Sequence, residues 1–282
     1  MIRRLIRKIE KEINKNTLYL KNRGALGLNE KLKDIHRGKR CFIIGTGPSI
    51  NNQDLTLLKD EQTIVVNAFW RHHQYTKIRP KYHIIADADI LRNNTENFWT
   101  KEFVQFESQV RESGTSLLLN ILMKDYLESN NYYSGIDKYY LAFNGSFNEK
   151  LKFNIELDKI LPYGKNVMIS GLIAAAYMGF EKIYLLGCEH DVLAYRYPRQ
   201  SDHFYNERQY NLSSPEEVKK YALDDVVSYE NLIHHVQVLF QNYRLLKKKL
   251  SITNPRLKIF NATPNSFLDV FPSADYETII NK

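Results

Sequence analysis

The sequence is short of most features that announce a specialised class. It has only two cysteines, Cys41 and Cys188, in 282 residues. That excludes a disulfide framework and a zinc site built on thiolates. Both sit in apolar runs, where a free thiol behaves as a small hydrophobe, and a reducing compartment is the expectation. No apolar run approaches the ~18 residues of a membrane-spanning helix. The start, Met1-Ile2-Arg3-Arg4, lacks the long apolar stretch of a signal peptide, so the expected location is cytoplasmic. There is no internal repeat and no low-complexity tract. The one Gly-x-Gly after an apolar run lacks the third glycine of the dinucleotide fingerprint, and no Gly-Lys-Ser/Thr marks a phosphate loop.

What is present points to an α/β domain. Cys41-Phe42-Ile43-Ile44 reads as a buried strand that stops at Gly45-Thr46-Gly47-Pro48-Ser49. Two more strands follow the same plan: Thr63–Val66 ends at Asn67, and Tyr82–Ala86 ends at Asp87-Ala88-Asp89. Ligands of open α/β sheets bind outside the carboxyl ends of strands. Gly45, Thr46, Gly47, Pro48, Ser49, Asn67 and Asp87 are therefore expected at one crevice. Asp87 and Asp89 could hold a divalent metal, although one such carboxylate more often caps a following helix. No metal or cofactor is the favoured expectation.

A second informative stretch runs from Asn166 to Gly187. Ser170 is read as an N-cap, residues 172–178 as a buried helix, Gly179 as its stop, and Ile183–Leu186 as a central strand. A helix start with Ser170 and Gly171 suits a phosphate. The strand runs into Cys188-Glu189-His190-Asp191, a cluster of titratable groups. Tyr195, Tyr197, Arg199 and His203 follow in a polar, aromatic loop that reads as a lid. A helix from Ser214 to about Lys249, a strand at 257–260 and a polar Asn261–Ser266 close the chain. Helix at 96–112 and strand at 117–120 are expected in between. Residues 121–165, rich in Tyr and Phe, read either as an aromatic lid or as loop-rich packing.

The net charge of +8 is uneven. Residues 1–40 hold 13 Lys and Arg against 4 acidic residues, so the other 242 carry −1. This argues against a nucleic-acid-binding body. Ile2, Leu5, Ile6, Ile9 and Ile13 share one helical face, with basic residues on much of the remainder. Such a helix either lies on an anionic bilayer or packs on the body or a second subunit. Residues 16–40, with Gly24, Gly27 and Gly38, read as a polar connector. The expected division is 1–40, basic helix and connector, and 41–282, catalytic domain.

Phe42–Ile50, the run Ile169–Gly187 and Lys258–Ser266 together resemble the bacterial CMP-sialic-acid-dependent sialyltransferases. They also resemble the wider Maf and MptE-like group of surface-polysaccharide and flagellin-glycosylation loci. The resemblance implies a Rossmann-like, mostly parallel twisted sheet flanked by helices, with a lid-like insertion. It implies inverting, metal-independent transfer of a sialic-acid-like sugar from a CMP donor to a cell-surface glycan or glycolipid, with a His base. Thr46 stands where that family has Asn, Asn67 matches a nucleotide-contacting Asn, and Asp87 replaces another Asn. Ser170 and Gly171 match directly. Gly187-Cys188-Glu189-His190-Asp191 departs from the family's Gly-Ile-Asp-Phe-Tyr, which removes a phosphate-contacting Tyr that Tyr195 or Tyr197 would replace. Glu189 and Asp191 join the expected nucleotide site; Tyr195, Tyr197 and Arg199 would steady the phosphate; His203, then His190, is the expected base. The rivals are Mg²⁺-dependent pyrophosphoryl transfer of the MptE-like kind, and a non-catalytic nucleotide-binding protein at a membrane. A homo-oligomer is compatible with each.

Overall fold

The computed structural model describes residues 2–91, 98–195 and 229–281. Eight parallel strands form one sheet. They are β1 (Arg40–Ile44), β2 (Thr63–Val66), β3 (Tyr82–Ile85), β4 (Ser116–Asn120), β5 (Lys138–Phe143), β6 (Ile160–Leu161), β7 (Lys182–Leu186) and β8 (Lys258–Asn261), in the order β6-β5-β4-β3-β2-β1-β7-β8. The expected α/β, Rossmann-like architecture is what the chain adopts. β1 through β6 step outward in one direction; β7 then returns to the other side of β1, in register from Arg40↔Lys182 to Ile44↔Leu186. The strand order reverses between β1 and β7, and that reversal opens a crevice at their carboxyl ends.

Both faces of the sheet are covered, so its strands are apolar on both sides. Cys41, Ile43, Ile64, Ile84 and Ile183 pack against α6 (Val167–Tyr177) and α8 (Tyr229–Thr253). Phe42, Ile44, Val65 and Ile85 face the opposite core. There they meet Trp70, and Tyr75 from α2 (Tyr75–Ile78). Phe103 from α3 (Phe98–Gln105) and Val110 from α4 (Glu107–Ser113) complete that layer. α6 is buried nearly all round. Its small residues let it sit close to β1: a Cβ on Gly171 would lie 3.0 Å from the Ile43 side chain.

Three expectations change. Residues 16–40 are not a free connector, because α1 runs unbroken from Ile2 to Gly27 through Gly24. Helical glycine costs about 1 kcal/mol, and docking offsets it: Leu26 is buried, with Leu18, Tyr19 and Ala25 packed beside it. The buried Asn29 amide then donates to the carbonyls of Tyr140 and Leu157, each at 2.7 Å, tying the chain to β5. Residues 121–165 are loop-rich, as one of the two readings has it, but they also supply two unexpected strands, β5 and β6, the sheet's far edge, as well as α5 (Lys124–Ser129). The expected helix at 96–112 is two, broken at Phe106. Gly179 does end α6's turn, at φ +85°. Among the described residues no helix is long and apolar enough to cross a membrane.

Candidate functional site

A cavity of about 530 Å³ opens at the carboxyl ends of β1, β2, β3 and β7. Of the residues expected there, Gly45, Thr46, Gly47, Asn67, Asp87, Ser170, Glu189, His190 and Asp191 line it. Residues distant in sequence thus converge at the strand-order reversal. Pro48, Ser49 and Gly171 are not on its wall: Gly171 faces Ile43, and Ser49 turns its N–H to Glu189. Tyr195 ends the short helix α7 (Val192–Tyr195). Tyr197, Arg199 and His203, with the start of the helix expected at Ser214, lie outside the described residues.

The glycine-rich turn after β1 works differently from a phosphate loop. The N–H groups of Gly45, Gly47, Ser49 and Ile50 are committed inward. Gly45 N donates to Leu186 O at 2.8 Å, Gly47 N to Gly187 O at 3.0 Å, and Ile50 N to Gly47 O at 3.4 Å. Ser49 N donates to the Glu189 carboxylate at 2.7 Å. That carboxylate occupies the positive end of the 3₁₀ turn Pro48–Asn52, where a free anion would otherwise bind. The glycines serve close packing. A Cβ on Gly45 would lie 2.3 Å from Gly187 O, and one on Gly47 1.5 Å from Glu189 Oε2.

The tip of β2 is arranged the opposite way. Asn67 takes φ +45° and lines the cavity; its Oδ1 is buried and has no hydrogen-bond partner among the described residues. Its backbone is fixed from below. The fully buried His83 donates Nε2–H to Asn67 O at 2.6 Å, and His83 Nδ1 therefore accepts from the Tyr75 hydroxyl at 3.3 Å. Burial pulls the His83 ring down to about 3, so the ring is neutral and its tautomer is set by the carbonyl it serves.

The tip of β7 is braced by the segment after β8. Cys188 N donates to Thr263 Oγ1 at 3.0 Å, Ser266 Oγ to Cys188 O at 2.6 Å, and Phe267 N to Glu189 O at 2.8 Å. His190 adopts φ +52°. Its Nε2 lies 3.0 Å from the Tyr243 hydroxyl and 3.2 Å from Cys188 Sγ. A Cys–His pair can be a nucleophile when the thiol ionises. Here burial pushes the Cys188 thiol up to about 12 and pulls the His190 ring down to about 4. Both shifts favour the neutral pair, so Cys188 is not an activated nucleophile.

Ser170 is not the cap expected of it. Asn166 is: its side chain accepts from Met168 N at 2.7 Å, and Ser170 sits within α6, buried, its position still on the cavity wall. The extended Asn166 ahead of an apolar helical run carried that signal. The start of α6 thus faces the cavity with its positive end. Sequence reasoning also missed Phe143, Tyr163, Lys165 and His235 on the wall. Phe143 and Tyr163 were legible only as part of an aromatic stretch, and His235 lies mid-helix with no local pattern. The His235 ring is lowered by burial, then by Lys165 and His234. Among the described residues the wall presents Asp87, Glu189 and Asp191 against one lysine or arginine, Lys165.

No protein-family model matches the chain, and no curated protein matches it. Among solved structures, it is similar to that of MAf glycosyltransferase from Magnetospirillum magneticum AMB-1, at 13% identity and a TM-score of 0.47. The match covers 89% of this chain and 38% of that one, so the chain spans well under half the length of that protein.

Proposed function

We propose that the chain is a glycosyltransferase that holds a nucleotide-sugar donor in the switch-point cavity and passes the sugar to a glycan acceptor. The observation that carries this reading is the convergence, in one cavity of about 530 Å³, of the strand tips at Gly45, Asn67, Asp87 and Glu189–Asp191 with the start of α6. Of these, the Gly45 turn and the body of α6 fall in stretches that resemble the sialyltransferase and Maf group, Asn67 matches one of its nucleotide contacts, and Asp87 and Glu189–Asp191 depart from it. Ligand pockets fall in this size range and at this place in open α/β sheets.

In this reading the α6 start and Lys165 receive the phosphate, the Asn67 Oδ1, unpartnered among the described residues, accepts an N–H of the base, and Asp87 and Asp191 accept hydroxyls of ribose or sugar. The donor by nearest resemblance is a CMP-linked, sialic-acid-like sugar, transferred with inversion and without metal. The acceptor oxygen attacks the anomeric carbon, the C–O bond to the phosphate breaks, and the acceptor proton passes to a neutral histidine. His203 holds that role by sequence; His235 is a histidine on the described wall whose lowered pKa keeps it neutral at pH 7. Tyr195, Tyr197 and Arg199 would stabilise charge on the departing phosphate.

A thermal-shift panel of CMP, UDP, GDP and ATP, each with EDTA or with Mn²⁺, tests this. Specific ligands of the native state raise the Tm. The expected result is a rise with CMP that persists in EDTA. A rise with ATP alone and only with metal would replace this reading by pyrophosphoryl transfer; no rise with any nucleotide would end it.

A further inference from the structure

The hydrogen atoms around His190 can be counted, and the count assigns the ring a role. Tyr243 is fully buried, and among the described residues its hydroxyl has two hydrogen-bonding neighbours: His190 Nε2 at 3.0 Å and Cys188 Sγ at 3.9 Å. Cys188 is also buried, and its Sγ is 3.2 Å from the same Nε2. A buried O–H needs an acceptor, and an imidazole nitrogen is a far better one than a thiol sulfur at 3.9 Å. If Nε2 carried the proton, the Tyr243 O–H would be left with that distant sulfur, and the Cys188 S–H with no nitrogen to meet. Nε2 therefore accepts, and the proton of a neutral ring sits on Nδ1. No hydrogen bond of Nδ1 is found among the described residues, and His190 lines the cavity. Holding a non-glycine residue at φ +52° costs about 1 kcal/mol or more, and it is this backbone that seats the ring between Tyr243 and the cavity.

We infer that His190 is locked as the Nδ1–H tautomer and donates that N–H to an acceptor oxygen of the bound ligand, rather than taking a proton from it. Burial, which lowers the ring's pKa, keeps it in the neutral form this needs. The inference rests on the nucleotide-sugar reading only for the identity of the oxygen, a phosphate oxygen of the donor. It separates two histidine tasks at the site: His190 hydrogen-bonds to the ligand, and the base must be another residue.

Long-range ¹H–¹⁵N spectra of the full chain labelled at histidine test the tautomer without any ligand, with the His190 signals identified by their loss in His190→Asn. A protonated Nδ1 and a bare Nε2, unchanged from pH 5.5 to 8, are expected. A protonated Nε2, or a ring that titrates near 6.5, would overturn the inference. Calorimetry with CMP and with cytidine then tests the donor role. Asn and Gly both tolerate φ +52°, and the Asn amide places an N–H near the Nδ1 position. His190→Asn should hold CMP within about 3-fold of the parent, while His190→Gly loses roughly 10-fold and keeps its affinity for cytidine. Equal losses for CMP and cytidine, or for both variants, would show a packing role and reject the donor. If the parent chain binds neither compound, the nucleotide reading falls, while the spectra still decide the tautomer.

Discussion

The tips of β1 and β2 lie side by side in the sheet, and they are built on opposite plans. At the β1 tip the chain spends backbone N–H groups on itself: Gly45, Gly47 and Ser49 donate to Leu186, Gly187 and the Glu189 carboxylate, while the Ser49 hydroxyl is buried without a partner among the described residues. At the β2 tip the backbone is fixed by His83, and the buried side-chain oxygen of Asn67, a residue of the cavity wall, is left without a partner among the described residues. A glycine-rich turn looks like the ligand-binding element and an isolated asparagine does not. The hydrogen bonds reverse that order. The turn is a joint between β1 and β7, and of the two side chains left unpartnered at these tips among the described residues, Ser49 and Asn67, the asparagine is the one on the cavity wall.

The contrast can be broken first at the joint. Gly45→Ala pushes a methyl into the Gly187 carbonyl at 2.3 Å, where only backbone could yield. It should cost about 3 kcal/mol of stability, within the range of severe overpacking, read by urea denaturation. A loss below about 1 kcal/mol would mean that β1 and β7 are not pressed together as described.

The anchor beneath Asn67 comes next. His83→Leu leaves the Asn67 carbonyl and the Tyr75 hydroxyl without that ring, for about 2 kcal/mol. It should also change the response to acid. The folded ring titrates near 3, against 6.5 for the free side chain. Its contribution is therefore complete above pH 6.5 and is lost as pH falls below it, at about 1.4 kcal/mol per pH unit, until the folded value is reached. The variant should show a shallower decline in stability from pH 6.5 to 4 than the parent. Parallel declines would mean that His83 is not buried neutral.

The smallest effect on stability should come from the group proposed to meet ligand. Glycine accepts φ +45° more easily than asparagine, so Asn67→Gly should stay within about 0.5 kcal/mol of the parent. Nucleotide affinity should fall roughly 10-fold, the worth of one buried hydrogen bond. Unaltered affinity would sink the assignment of Asn67 as a ligand acceptor and, with it, the contrast between the two tips.

Much of the sheet was legible because central parallel strands are continuous apolar runs, as at Phe42–Ile44, Thr63–Val66 and Ile183–Leu186. β5 was not, because Lys138-Tyr139-Tyr140 reads like the aromatic loop before it, and β6 offers only two residues. Ser170 drew attention as a cap although Asn166 does that work. Either residue type can cap, and only the backbone shows which one is extended.

The sequence alone determined the parallel α/β class and the polar ends of the strands, since burial on both faces forces apolar runs and leaves polar residues at their ends. Tertiary structure decided which polar groups stay unspent. Whether Glu189 meets Ser49 or a ligand, and which nitrogen of His190 meets Tyr243, depends on chain segments up to 140 residues apart. Hydrogen-bond partnership across such distances is set by where strands and helices come to rest, and no local pattern encodes it.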